Sequence, residues 1–241
     1  MKTSYETALR SLDAADPDPR ATPAAATRPR RRRAPRLTLA GAAATVAVAI
    51  VAIAVRDGGD ASGVAYASWT PAPSAVAAHD LDAVVDACRD QLDTGAIPVA
   101  LAERRGNFVA VLFHKNNPDI AASCVAWNTP GSSKVEHVRT GIGGSSGPAW
   151  TPAPGRITQG MVADFAGAAA FTEGAVGRGV VGVTIHAGAE TVTATIANGR
   201  YAAWWPGSAF GDGPNPKLLL TYDVRLADGT VKRDVAPALP R

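Results

Sequence analysis

Cysteine is nearly missing from this chain: two residues in 241, far too few for a disulfide-dense scaffold. Aromatic residues make up 6% and charged residues 19%, yet hydrophobic residues reach 46%, which excludes a collagen-like or wholly disordered protein. There is no Cys-x-x-Cys pair, no P-loop and no dinucleotide fingerprint, so no cofactor and no metal is assigned. The four histidines, His79, His114, His137 and His186, have no mutual spacing that imposes metal binding or a catalytic dyad. Gly143-Gly144-Ser145-Ser146-Gly147 fits the G-x-S-x-G pattern of a hydrolase, but Pro148 follows where a nucleophile elbow needs a helix.

Positive charge is also scarce outside one place. The net charge is +3, but residues 1–36 alone carry nine positive and four negative groups, which leaves the remainder net negative. The high pI of about 9.1 therefore describes a short tail. A basic nucleic-acid-binding surface is not expected, and no nucleic-acid partner is assigned.

What the chain does have is one long apolar run. Leu37 to Val55 contains no charge, amide or proline, and at about 1.5 Å per residue it matches the hydrocarbon core of a bilayer. Six arginines precede it, Arg28, Arg30, Arg31, Arg32, Arg33 and Arg36, and Arg56 alone follows closely. The positive-inside bias then predicts a transmembrane helix over 37–55, a cytoplasmic N-terminus and an extracytoplasmic remainder. The same arginines would attract anionic lipid head groups at about 1 kcal/mol each. A cleaved signal peptide is the alternative, with a small-residue site ending at Ala67, but the apolar run is longer than a signal h-region and the charged stretch before it is far too long.

The organisation expected is a disordered Arg-rich tail over 1–36, the membrane helix over 37–55, a Gly/Ala/Ser/Pro linker over 56–78 and one exported domain over 79–241. Within the domain, Leu81, Val84, Val85, Cys88 and Leu92 recur at helical spacing, with Asp82, Asp86, Asp90 and Asp93 on the other side. Strand signals dominate afterwards, so the fold class predicted is α+β, mainly antiparallel β. Cys88 on the helix and Cys124 in the strand-like run AASCVAW are an even pair in an oxidising compartment and should form a disulfide. Residues 128–160 are crowded with Gly, Ser and Pro, with only a short strand near Val135 to Val138, and read as a long irregular connection, a candidate recognition loop.

Turn chemistry predicts registers. Gly106-Asn107 should join two strands as a hairpin. Gly188-Ala189 and Asn198-Gly199 imply a three-stranded meander over 181–205, with Ile185 opposite Val192 and Ile196 opposite Tyr201. Its apolar face would hold Trp205, and its polar face Thr184, His186, Thr193, Arg200 and Trp204. Those five residues form the candidate recognition surface, with Trp204 as an exposed stacking platform. Asp228-Gly229 should turn a final hairpin with Leu218, Leu220, Tyr222, Val224 and Leu226 inward, faced by Val231 and Val235.

The Arg-rich tail, the Ala/Val membrane run, the motif Ala65-Tyr66-Ala67-Ser68-Trp69-Thr70-Pro71, the Ala87-Cys88-Arg89 helix and Ala203-Trp204-Trp205-Pro206-Gly207 together resemble a group of single-pass membrane proteins of high-GC bacteria with an exported domain. The resemblance implies no activity and no catalytic residue. The function expected is a membrane-anchored extracytoplasmic binding or signalling protein of the cell envelope, with an unidentified envelope ligand or protein as partner. An exported hydrolase-like enzyme and a transmembrane anti-sigma-type regulator are the alternatives. Residues 1–36 hold neither His nor Cys, so a zinc-binding anti-sigma motif is absent.

Overall fold

The helical spacing of Leu81, Val84, Val85, Cys88 and Leu92 resolves as α1, Ala78–Gln91, with Val84, Val85 and Cys88 buried and Asp82, Asp86 and Asp90 exposed. The computed structural model describes residues 66–92, 97–166 and 168–238. The tail, the 37–55 segment, linker residues 56–65 and Asp93 lie outside the described residues.

Twelve strands follow among the described residues: β1 Val99–Arg105, β2 Phe108–Asn116, β3 Asp119–Trp127, β4 Glu136–Ser145, β5 Val162–Asp164, β6 Ala169–Ala175, β7 Val180–Ala187, β8 Glu190–Thr193, β9 Thr195–Ala197, β10 Arg200–Pro206, β11 Leu220–Leu226 and β12 Val231–Lys232. Among the described residues these strands pair antiparallel throughout, in three four-stranded sheets of order β1-β2-β3-β4, β5-β6-β10-β9 and β12-β11-β7-β8. The class is α+β and rich in strands.

Alternation along single strands shows how these layers stack. In β2, Val109, Val111 and Phe113 pack with the buried stripe of α1, whereas Phe108, Ala110 and Leu112 pack with Phe171, Ala202 and Trp204 of the second sheet. In β10, Ala202 and Trp204 face β2, whereas Tyr201, Ala203 and Trp205 join Val183, Ile185, Val192, Tyr222 and Val224 of the third sheet. Both strands are therefore covered on both faces, which explains why they read as continuous apolar runs and not as alternating ones. The disulfide Cys88–Cys124 ties α1 to β3, with the Cα atoms 6.0 Å apart, within the span a disulfide requires.

Glycine is indispensable at the β1–β2 turn. Gly106 has φ +62°, and a Cβ there would come within 1.8 Å of the Ser68 carbonyl oxygen. That close approach belongs to a docked strap. Residues 66–76, given to the linker by composition, exchange backbone hydrogen bonds with the domain: Ser74 and Arg104 each donate to the other's carbonyl at 2.9 Å, and Thr193 N–H donates to Pro71 O at 3.0 Å.

Three expectations about local structure need correction. The meander over 181–205 is broken at Ala194, so that β8 pairs with β7 in one sheet and β9 with β10 in another. Ile185 does face Val192 and Ile196 does face Tyr201, but the chain switches sheets between those two pairs. The connection expected over 128–160, with only a short strand near Val135 to Val138, contains the ten-residue strand β4. Its glycines, poor strand formers by propensity, are set by packing: a Cβ on Gly141 would lie 3.0 Å from Ala163, and one on Gly143 3.3 Å from Met161. In the last hairpin, Leu226 N–H donates to Thr230 O, so three residues turn the chain instead of two. The slip of one residue puts Val231 opposite Arg225 on the outer face, 47% exposed, and Leu218 is exposed as well.

Candidate recognition surface

The residues grouped from sequence on one polar face are divided by the break at Ala194. Thr184 and His186 on β7 and Thr193 on β8 remain on the outward side of the β12-β11-β7-β8 sheet. Arg200 and Trp204, on β10, turn instead toward the β1–β4 sheet.

Trp204 is 0% exposed, which overturns its expected role as an open stacking platform. Its ring centroid lies 5.2 Å from that of Phe108, 5.9 Å from Tyr66 and 6.4 Å from Trp69. The reason is a second sheet lying over the face that would otherwise meet water. Trp69 Nε1–H donates to the Trp204 carbonyl at 3.4 Å, so the strap contributes to this aromatic cluster. Burial in it raises the Tyr66 hydroxyl pKa, against the opposing pull of Arg139.

Arg200 is likewise withdrawn from solvent. Its guanidinium pairs with Glu173, whose other oxygen accepts the Met161 N–H at 2.7 Å. A second buried ion pair lies between the sheets: Arg105 donates to Glu103 at 2.7 and 3.0 Å, and also to Pro71 O at 2.6 Å, Thr193 O at 2.7 Å and Thr70 O at 3.2 Å. Thr195 Oγ1–H donates to Glu103 at 2.6 Å. Desolvation raises the Glu103 pKa despite these partners. Sequence reasoning missed this cluster; the signal available was the charged end Glu103-Arg104-Arg105 of a strand otherwise reading as core.

The outward face that keeps Thr184, His186 and Thr193 is joined by residues not anticipated there. Thr184 stands opposite both Thr193 and Asp223, and His186 opposite both Thr191 and Thr221. His186 Nε2 lies 3.3 Å from Asp223 Oδ2, and Nδ1 3.3 Å from Thr191 Oγ1. Desolvation pulls the Asp223 pKa upward, but the Asp234 N–H at 3.1 Å and His186 outweigh it and hold the carboxyl below its usual range. Arg225 lies over Gly182 at the other end of the strand pair. Beside His186 an open hollow of about 390 Å³ is lined by Gly188, Leu218, Leu219, Leu220 and Thr221. Polar side chains fixed by their neighbours, next to exposed leucines, suit a surface that binds.

The other histidines belong elsewhere. His114 on β2 lies 2.8 Å from Asp119, His79 lies 2.7 Å from Asp80, and His137 is on β4. Among the described residues no group of three or more His, Cys, Asp or Glu side chains could hold a metal ion. Ser145 closes β4 and is followed by a bend, not a helix. No described helix is long and apolar enough to cross a membrane, and the 37–55 segment lies outside the described residues. Comparison with protein-family models, curated proteins and solved structures finds no match.

Proposed function

We propose that this chain is a single-pass membrane protein with a cytoplasmic N-terminus, whose extracytoplasmic domain binds a partner at the cell envelope through the outward face of the β12-β11-β7-β8 sheet. The observation that carries this reading is the Cys88–Cys124 disulfide, which uses both cysteines of the chain and lies wholly inside the domain. Disulfides persist in oxidising compartments and are rare in the cytosol. Combined with an apolar run of membrane length behind six arginines, it favours a domain held outside the cytoplasm. Those arginines would rest against anionic lipid head groups.

The recognition face is Thr184, Thr193, His186 and Asp223, flanked by Leu218 and Leu219. Two measurements test the reading. In growing cells, thiol-specific alkylation should label neither cysteine before reduction; labelling without reductant would place the domain in a reducing compartment. A photo-crosslinking residue at Thr184 should yield an adduct that the same residue at Asp86, on the exposed side of α1, does not. Equal labelling at both positions, or none at Thr184, would reject this face.

A further inference from the structure

Sheet edges expose unpaired backbone donors and acceptors, and folded proteins normally shorten, cover or charge them. Most edges here are managed in one of those ways. β5, β9 and β12 are three, three and two residues long. β1 is bridged by Ser74, with Asn198 Nδ2–H donating to Ala100 O at 2.7 Å, and β8 is bonded by Pro71.

β4 differs from all of these. It is ten residues long, pairs with β3 on one side only, and among the described residues receives no hydrogen bond along its outer side. None of its residues is buried, whereas seven of the nine in β2 are. Its second half, Thr140-Gly141-Ile142-Gly143-Gly144-Ser145, carries no charge and no proline, and Ile142 is 58% exposed, the highest value among the exposed large hydrophobic residues.

We propose that the outer edge of β4 pairs antiparallel with the same edge of a second copy of this chain, about a two-fold axis at Ile142. The charge pattern favours a second copy as the occupant. Antiparallel pairing centred on Ile142 sets Arg139 opposite Ser145 and Thr140 opposite Gly144, so no like charges meet and the two exposed isoleucines cover one another. Pairing centred on Arg139 would oppose two guanidinium groups. The glycines leave this edge unobstructed by bulky side chains; a Cβ is excluded at Gly144 by the Asp119 carbonyl and crowded at Gly141 and Gly143 by Ala163 and Met161. This association is independent of the outward face of the third sheet.

The full chain in detergent micelles should sediment as a dimer that dissociates on dilution. Ile142→Lys, which opposes two ammonium groups on the axis, should give a monomer with unchanged circular dichroism and an intact disulfide. Ile142→Cys should form a linked dimer without reductant, and Val181→Cys, at an exposed site on β7, should not. A wild-type chain that stays monomeric, a dimer indifferent to Ile142→Lys, or linkage at Val181→Cys equal to that at Ile142→Cys would each overturn the proposal. So would a monomer whose amides from Arg139 to Ser145 exchange slowly, because residues of the same chain would then cover the edge.

Discussion

Trp204 and Trp205 are adjacent in β10 and fully buried on opposite faces of it, one against Phe108 of the β1–β4 sheet and the other in the core shared with Tyr201, Tyr222 and Val224. One strand thus contributes a large aromatic side chain to each of two cores. Trp204→Ala and Trp205→Ala should each leave a cavity and cost about 3–5 kcal/mol in denaturant unfolding. If Trp204→Ala left stability nearly unchanged, the cover over its face would be wrong.

The buried pair Glu103–Arg105 should respond unequally to removal of its two members. Desolvation already raises the Glu103 pKa, so Glu103→Gln replaces a costly charge by a neutral group that can still accept from Thr195. Arg105→Met leaves the carbonyls of Thr70 and Thr193 without their donor, removes one of the two donors to Pro71 O, and leaves Glu103 with Thr195 alone. Removing either partner of a buried pair typically costs about 3–5 kcal/mol, and the arginine variant loses the strap and Thr193 carbonyl bonds as well. Urea unfolding should show the arginine variant to be the less stable of the two, with faster proteolysis within residues 66–76; the reverse order would contradict the strap's dependence on Arg105.

Acid should weaken the start of α1. The Gly131 N–H, with His79 and Arg104, holds the Asp80 carboxyl below its ordinary value, against a desolvation cost. A carboxylate with a lowered folded-state pKa contributes stability above the unfolded value of about 3.9, and that contribution is lost as pH falls through the lowered pKa. Wild type should therefore lose more stability below about pH 4 than Asp80→Asn, which has no such proton to take up. Parallel pH profiles of the two melting temperatures would reject the assignment.

Much of this was legible in the sequence. The periodicity of Leu81 to Leu92, the Gly106-Asn107 hairpin, and the pairs Ile185–Val192 and Ile196–Tyr201 follow from local rules of spacing and turn chemistry, and the disulfide from there being two cysteines in one domain. The break at Ala194 did not, because what divides β8 from β9 is nonlocal: Pro71 and Arg105 bond the backbone of Thr193 from outside the hairpin. Only the start of β4 was legible; the rest was hidden by its glycines, whose small size answers to Ala163, Met161 and the Asp119 carbonyl and not to strand propensity. Trp204 could have been placed correctly, since Tyr201-Ala202-Ala203-Trp204-Trp205 is an unbroken apolar run, the mark of a strand buried on both faces. Of the five candidate surface residues, Thr184, His186 and Thr193 share an outward sheet face, and their neighbour Asp223 became visible only through the pairing of β7 with β11.

The most direct test of an anchored, extracytoplasmic domain is protease protection in intact cells carrying one tag at Met1 and another after Arg241. Protease added outside should remove the C-terminal tag and spare a membrane-bound fragment with the N-terminal one. Protection of both tags, or a released mature protein beginning at Ser68, would contradict it.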